Sequence, residues 1–222
     1  ATDAAQAIDE ITRCDDRTRA YWLEVRGTHQ TLRSAPVEIG QSLATHLYRS
    51  VESVILTSAT LKAPQTLRSP FEFTLHRLGL GADDCATLEV DSPFDYARQA
   101  ALYIPQHLPE PSSQNWTLHF AREVFQLLKL CDGRAFVLFT SLKHMREVYA
   151  LVAPHLTYQV LIQGDAPRKE LIETFRKRSS VLFASQSFWE GVDVPGDALS
   201  LVIIDRLPFA PPNDPLQAAR MK

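Results

Sequence analysis

Between residue 117 and the end of the chain, short apolar runs alternate with amphipathic segments, and this alternation limits the fold more than any other feature. Runs such as Arg134–Thr140 and Ser180–Ala184 are apolar almost throughout, as strands buried on both faces are. Segments such as Leu142–Ala153 repeat apolar residues three and four positions apart, which indicates helices. Strands joined through helices build a parallel sheet with helices on both faces. The sequence therefore predicts an α/β fold, a parallel sheet sandwiched between helices.

The same criteria place the other elements of this half. Two more strands are predicted, at Gln159–Ile162 and Leu199–Ile204. Three more helices are predicted, at Thr117–Leu130, from a cap at Asp165 to Arg178, and from Pro215 onward.

The first half of the chain carries shorter patterns. Strict alternation predicts a hairpin of Arg19–Arg26 with Gln30–Pro36, and apolar residues one helical turn apart predict a short helix from Ile39 to Leu47. Ser53–Ser58 is an apolar run that ends in small hydroxyl residues, and it predicts a buried parallel strand. Ala101–Ile104 predicts a further strand.

Composition excludes several classes of protein. The 222 residues are 45% hydrophobic and 22% charged, as in an ordinary globular protein, and no uninterrupted apolar stretch is long enough for a transmembrane helix. Cys14, Cys85 and Cys131 lie too far apart for a metal clip or a disulfide framework, which favours a reduced, cytoplasmic setting. The net charge of −3 argues against coating nucleic acid by overall charge, although local patches decide binding.

Both ends of the chain suggest a piece of a longer protein. The sequence begins at Ala1 without a signal-peptide pattern and ends at Lys222 within a helical pattern that has no stop signal. It contains no GxxxxGK[ST] loop, the usual phosphate-binding element for ATP.

Parallel sheets bind ligands at the carboxyl ends of their strands, which selects five loops here. Their hydroxyls and free backbone N–H groups suit phosphate oxygens, and the carboxylates of Glu190 and Asp193 suit ribose hydroxyls or a basic group. The five loops are Thr57–Leu61, Thr140–Ser141, Gln163–Asp165, Ser185–Gly196 and Asp205–Phe209.

Four of these loops carry motifs whose order is informative. Thr57–Leu61, the end of the Phe136–Ser141 strand, Phe188–Asp193 and Arg206–Phe209 follow one another, and Asn213-Asp214-Pro215 comes after them. Over residues 50–222 the chain resembles the C-terminal half of the DinG/XPD-like superfamily 2 DNA helicases, in the DinG and YoaA branch.

The resemblance implies a domain layout and a function. Residues 1–50 would lead in from a helical insertion or first motor domain, and residues 51–222 would form the second RecA-like motor domain, ending before the QxxGR motif. Such helicases bind ATP between two RecA-like domains and move 5′ to 3′ on single-stranded DNA in repair or replication. ATP with Mg²⁺, and a [4Fe–4S] cluster in the first motor domain, are implied for the longer protein. The sequence leaves open which motor domain the Val54–Leu61 strand joins.

The resemblance also implies roles for single residues. Residues that couple the nucleotide to DNA are Thr57, Ser58, Ala59, Thr60, Glu190, Gly191 and Asp193. Residues that contact DNA are Thr140, Ser141, Gln163, Trp189, Arg206 and Phe209. No catalytic residue and no metal ligand is expected in this chain, which we expect to be a monomer that cannot hydrolyse ATP alone.

Each motif also has a purely structural interpretation. Ser141 can cap a helix, Trp189 can pack under its loop, and Glu190 and Asp193 can be solvated acids. The basic run at Arg168, Lys169 and 176–178 can be a solvated helix face, or a surface for DNA or a partner. The alternative function is a non-catalytic RecA-like docking module for a replication or repair protein.

Overall fold

The structure is a computed structural model, and it describes residues 8–9, 11–63, 69–209 and 214–221. The chain divides into two compact units, residues 1–99 with 210–222 and residues 100–209. The domain boundary expected after residue 50 stays a prediction.

From Arg19 onward, the described residues contain the following strands and α-helices. The strands are β1 (Arg19–Arg26), β2 (His29–Pro36), β3 (Ala135–Phe139), β4 (Gln159–Ile162), β5 (Ser180–Ser185) and β6 (Leu201–Ile204). The α-helices are α1 (Gly40–Leu43), α2 (Glu72–Leu78), α3 (Tyr96–Gln99), α4 (Trp116–Leu130), α5 (Leu142–Val152), α6 (Arg168–Lys177) and α7 (Pro215–Arg220).

The first unit is built on the predicted hairpin. β1 and β2 pair antiparallel from Arg19 opposite Pro36 to Arg26 opposite His29, and Gly27 makes the turn with a φ of 60°. The predicted short helix begins as α1 and continues as one π-helical segment, Ala44–Tyr48. The hairpin and helix predictions are therefore confirmed.

Two strand predictions are wrong. Ser53–Ser58 and Ala101–Ile104 form no strand, and both runs are exposed, with Ile55 86% and Leu102 88% accessible. A strand needs the N–H and C=O groups of a neighbour, and no strand among the described residues pairs with either run. Local apolarity alone does not supply that neighbour.

The second unit contains the predicted parallel sheet. Its four strands are all parallel in the order β4-β5-β3-β6, with Ala135 opposite Val181 and Leu201, and Gln159 opposite Ser180. The two central strands, β3 and β5, are the most deeply buried. Helices cover both faces, so the α/β sandwich is confirmed.

Alternate residues of β3 serve two separate cores. Val137 and Phe139 face a cluster shared with α4 and α5, whereas Phe136 and Leu138 face a cluster shared with α6. The same alternation holds in β5, where Phe183 joins the first cluster. This two-sided burial is why these strands are apolar at nearly every position.

Most element boundaries in this unit differ from prediction by a residue or two, and two differences are informative. β6 begins at Leu201 rather than Leu199. α6 begins after Pro167, whose extended backbone makes it the N-cap, and no side chain caps that helix, so the cap predicted at Asp165 is wrong. Proline disfavours helical backbone at the preceding residue, which moves the helix start beyond Asp165.

Candidate functional site

The carboxyl ends of the four parallel strands lie along one edge of the sheet. The residues that follow these strands are Thr140, Gln163, Gln186 and Asp205. The topology thus gathers the predicted loops of the second unit at a common edge, where ligands bind in parallel sheets.

Asp205 anchors the loop after β3. Its Oδ1 accepts from the backbone N–H of Thr140 at 3.0 Å, and its Oδ2 lies 3.4 Å from the Thr140 hydroxyl. The Asp205 N–H donates to the carbonyl of Leu138 at 3.0 Å. The Asp205 side chain is only 1% exposed, so these contacts fix the Thr140 backbone from inside the protein.

His144 completes this buried cluster. Its Nδ1 lies 3.2 Å from Oδ2 of Asp205, and the imidazole packs against the rings of Phe120 and Phe139. Ser141 caps α5 by accepting from the His144 N–H at 3.4 Å, which confirms the structural interpretation of Ser141. One carboxylate therefore joins the end of β3, the start of α5 and the end of β6.

Gln163 links the ends of β4 and β5. Its side-chain oxygen accepts from both the N–H and the hydroxyl of Ser185, at 2.7 and 2.8 Å. The backbone N–H of Gln163 donates to the carbonyl of Phe183 at 2.9 Å. The polar part of Gln163 is thereby engaged with the protein. Any contact between Gln163 and DNA has to use the side-chain donors that these bonds leave free.

The loop after β5 is held from α6. Nη2 of Arg168 donates to the carbonyls of Glu190 and Gly191 at 2.6 and 3.0 Å, and Arg176 donates to the carbonyl of Asp193. Gly191 has a φ of 65°, which favours glycine at this bend. Two of the basic residues, although exposed, are thus also supports of the loop.

The loop presents two exposed carboxylates. The side chains of Glu190 and Asp193 make no hydrogen bond or ion pair with any other residue that the structure describes. Trp189 is half-buried and packs on the second core cluster, and its Nε1 has no hydrogen-bond partner in the described part of the chain. The packing role considered for Trp189 is therefore present.

Arg206 and Phe209 differ in their contacts with the rest of the protein. Arg206 donates to the carbonyl of Pro111 at 2.9 Å, whereas the Phe209 side chain is 83% exposed. Phe209 precedes residues 210–213, which lie outside the described residues, as does Asn213 of the sequence motif.

The Thr57–Thr60 segment belongs to the first unit and is exposed throughout. Its hydrogen bonds are local: the Ser58 hydroxyl accepts from the Thr60 N–H at 3.2 Å and lies 3.1 Å from the Thr60 hydroxyl. This is a turn closed by a serine side chain. Ala59 lies within it.

No sequence pattern predicts that Asp205, His144 or Arg168 supports the loops at the edge of the sheet. A signal existed for Asp205, an acid directly after an apolar strand, but its partner Thr140 is 65 residues away. For Arg168 the interleaved glutamates of α6 suggested only a solvated face.

The described residues do not fit a metal or an iron–sulfur cluster. Cys14 is exposed, Cys85 and Cys131 are partly buried, and all three are free, whereas such a cluster needs four thiolates. No group of three or more His, Cys, Asp or Glu in the described ranges is placed to hold a metal ion. None of the helices described is long and apolar enough to cross a membrane.

Known proteins resemble this chain over most of its length. Residues 124–222 match the family described as Helicase C-terminal domain. The chain is 37% identical over 204 residues to ATP-dependent DNA helicase YoaA of Escherichia coli (strain K12), covering 91% of this chain and 31% of that protein. It is 37% identical over 214 residues to ATP-dependent helicase DinG of Mycobacterium tuberculosis (strain ATCC 25618 / H37Rv), covering 93% and 32%.

A third relative carries a different name. 3'-5' exonuclease DinG of Bacillus subtilis (strain 168) is 32% identical over 229 residues, covering 97% of this chain and 24% of that protein. The chain spans less than a third of the length of each of these three relatives. The parallel sheet, the order of the loops at its edge and these similarities agree: residues 124–222 form a helicase C-terminal domain, and the chain is similar to the DinG- and YoaA-type helicases over about nine tenths of its length.

Proposed function

We propose that this chain is the C-terminal part of an ATP-dependent DNA helicase that moves 5′ to 3′ on single-stranded DNA in repair or replication. The observation that carries the proposal is the carboxyl edge of the parallel sheet. There the buried Asp205 fixes the Thr140 backbone, and α6 fixes a loop with the free carboxylates of Glu190 and Asp193. Relatives named ATP-dependent helicases support the same activity.

In the proposed mechanism, this chain supplies one side of the ATP cleft. Hydrolysis of ATP releases the free energy that drives movement. From the loop after β5, Glu190, Gly191 and Asp193 contact the nucleotide. Thr57–Thr60 couples the nucleotide state to DNA. The exposed carboxylates of Glu190 and Asp193 suit this role because they make no hydrogen bond or ion pair with another described residue. The hydroxyls of Ser58 and Thr60 are exposed as well, and they bond only within their own turn.

The same edge would hold the DNA backbone. Thr140 and Ser141 stand at the N-terminus of α5, where hydroxyls and free N–H groups favour phosphate. Phe209 offers an exposed ring for stacking on a base, and the half-buried Trp189 is a second aromatic residue of the same edge. Gln163 and Arg206 complete the proposed DNA contacts through the side-chain donors that their present bonds leave free.

Other groups would come from the rest of the longer protein. The phosphate-binding loop, the ligands of Mg²⁺ and any [4Fe–4S] cluster belong there, because this chain has neither the loop nor four cysteines. We therefore expect the isolated chain to be a monomer without ATPase activity. We expect it to bind single-stranded DNA weakly and in a salt-dependent way, and to act in the cytoplasm.

The test is Asp193→Ala in the full-length gene product. We expect DNA unwinding to be lost while circular dichroism and thermal unfolding stay as in the wild type, because the Asp193 side chain is exposed and holds nothing in place. Asp197→Ala is the matched control, an exposed acid four residues further on. Wild-type unwinding by Asp193→Ala contradicts the proposed role.

The same preparation tests the alternative. A full-length wild-type protein that binds a repair or replication protein but shows no DNA-stimulated ATPase would support the docking module instead. The relatives' names and the free carboxylates favour the helicase.

A further inference from the structure

We propose that Arg168 is a positioning residue that holds the 189–193 loop in the conformation through which DNA stimulates ATP hydrolysis. This inference rests on the proposed function and deepens it. Arg168 is the first residue of α6, and its hydrogen bonds to the loop go to backbone carbonyls.

The loop has little regular structure of its own. A short helical turn, Gln186–Phe188, closes with the Trp189 N–H donating to Gln186 at 3.1 Å, and no regular element follows until Gly196. Phe188 is buried at the base of the loop, only 3% exposed. Past Phe188 the path of the backbone therefore depends on contacts from outside the loop.

One nitrogen of Arg168 supplies two of those contacts. Nη2 reaches the carbonyls of Glu190 and Gly191, so it fixes two successive peptide planes on either side of the bend at Gly191. The guanidinium also lies over the Phe188 ring, with its carbon 5.5 Å from the ring centroid. The planar group is thus held between the buried base of the loop and its exposed tip.

The other end of α6 holds the loop as well. Arg176 lies eight residues after Arg168, on the same side of the helix, and donates to the carbonyl of Asp193. Both carbonyl-bound arginines are charged at any physiological pH, and hydrogen bonds from charged donors are about twice as strong as neutral ones. α6 therefore braces the loop at two points and orients the carboxylates of Glu190 and Asp193.

The neighbouring basic residue provides a matched control. Lys169 is exposed and makes no hydrogen bond or ion pair with another described residue, although it carries the same charge on the same helix. Arg168→Ala removes the brace, and Lys169→Ala removes only a charge. Arg168→Lys keeps the charge and a donor but loses the planar guanidinium that lies over the Phe188 ring.

The first measurement is hydrogen exchange of the full-length protein by mass spectrometry. We expect peptides over 186–195 to exchange about tenfold faster in Arg168→Ala, with Lys169→Ala unchanged and Arg168→Lys in between. The strands β3 and β5 should exchange as in the wild type. An unchanged loop in Arg168→Ala, or faster exchange throughout the sheet, overturns the proposal.

The second measurement separates positioning from general stability. We expect Arg168→Ala to lower the DNA-stimulated kcat of ATP hydrolysis about tenfold while the DNA-free rate and the KM for ATP stay within about twofold. A loss of folded protein would lower both rates equally, and that result overturns the proposal. If the wild type shows no DNA-stimulated hydrolysis, the proposed helicase function fails, and the exchange measurement still decides whether Arg168 holds the loop.

Discussion

Two segments of this chain share a sequence pattern and differ in structure. Thr57–Thr60 and Thr140–Ser141 each follow an apolar run and each begin with threonine. The run before Thr140 is a buried central strand, whereas the run before Thr57 is exposed and forms no strand.

The difference lies in the partners of the backbone. Thr140 is bonded by Asp205, which is 65 residues away, whereas the Ser58–Thr60 turn uses only bonds within three residues. A hydroxyl-containing turn becomes a fixed site when its strand is paired on both sides and a buried group holds the turn. The predictions below test this contrast through matched substitutions, in order of expected effect.

The largest expected effect is on the apolar runs themselves. Phe183→Ala removes a fully buried ring from the first core cluster and should lower the free energy of unfolding by about 3–5 kcal/mol. Ile55→Ala, at a side chain that is 86% exposed, should change it by less than about 0.5 kcal/mol. Urea unfolding of both variants measures the difference. Equal effects would break the contrast, since they would mean that Ile55 is buried in solution.

The next effect concerns the buried anchor. Asp205→Ala leaves the His144 ring and the Thr140 N–H without their acceptor inside the protein, and should cost about 3 kcal/mol. Ser58→Ala, which removes the acceptor of the exposed turn, should cost less than about 0.5 kcal/mol.

A second variant at the anchor sharpens this result. Asp205→Asn keeps one oxygen for the Thr140 N–H and should cost clearly less than Asp205→Ala in the same urea titration. If the Asn and Ala variants lose the same free energy of unfolding, the hydrogen bond to Thr140 does not stabilise the edge. The stabilisation then comes from the charge next to His144.

A smaller effect is expected at the link between β4 and β5. Gln163→Ala removes the acceptor of two bonds from partly buried Ser185 and should cost about 1 kcal/mol. Gln159→Ala, at the exposed start of β4, is the control and should be neutral. Thermal unfolding by calorimetry distinguishes them, and equal midpoints would show that the link contributes nothing.

Much of the fold follows from the sequence because its signals are local. The strand β4 was predicted with its observed bounds, since a continuous apolar run and its flanking turns lie within a few residues. The strand order β4-β5-β3-β6 was not predicted, because pairing depends on contacts between distant parts of the chain.

The site divides in the same way. The loops at the strand ends could be predicted, because the topology alone brings them to one edge. The supports could not: Asp205 meets His144 across 61 residues, and Arg168 meets Glu190 across 22. A residue that acts on a backbone carbonyl leaves no side-chain pattern in the sequence.

The second wrong strand prediction leads to the smallest expected effect. Ala101–Ile104 is exposed, yet Tyr103 donates its hydroxyl to Glu123 at 2.7 Å, which raises the pKa of Tyr103 above its ordinary value of about 10. A pKa raised on folding means that the bond stabilises the protein below the unfolded pKa and stops doing so as pH rises through the folded pKa. Tyr103→Phe should therefore lower Tm slightly at neutral pH, and the difference from wild type should vanish in strong alkali. Tyr96→Phe, which removes an exposed hydroxyl that accepts from Ser92, is the control. Matching curves for the two variants would show that this run, like Ser53–Ser58, has no anchor of its own.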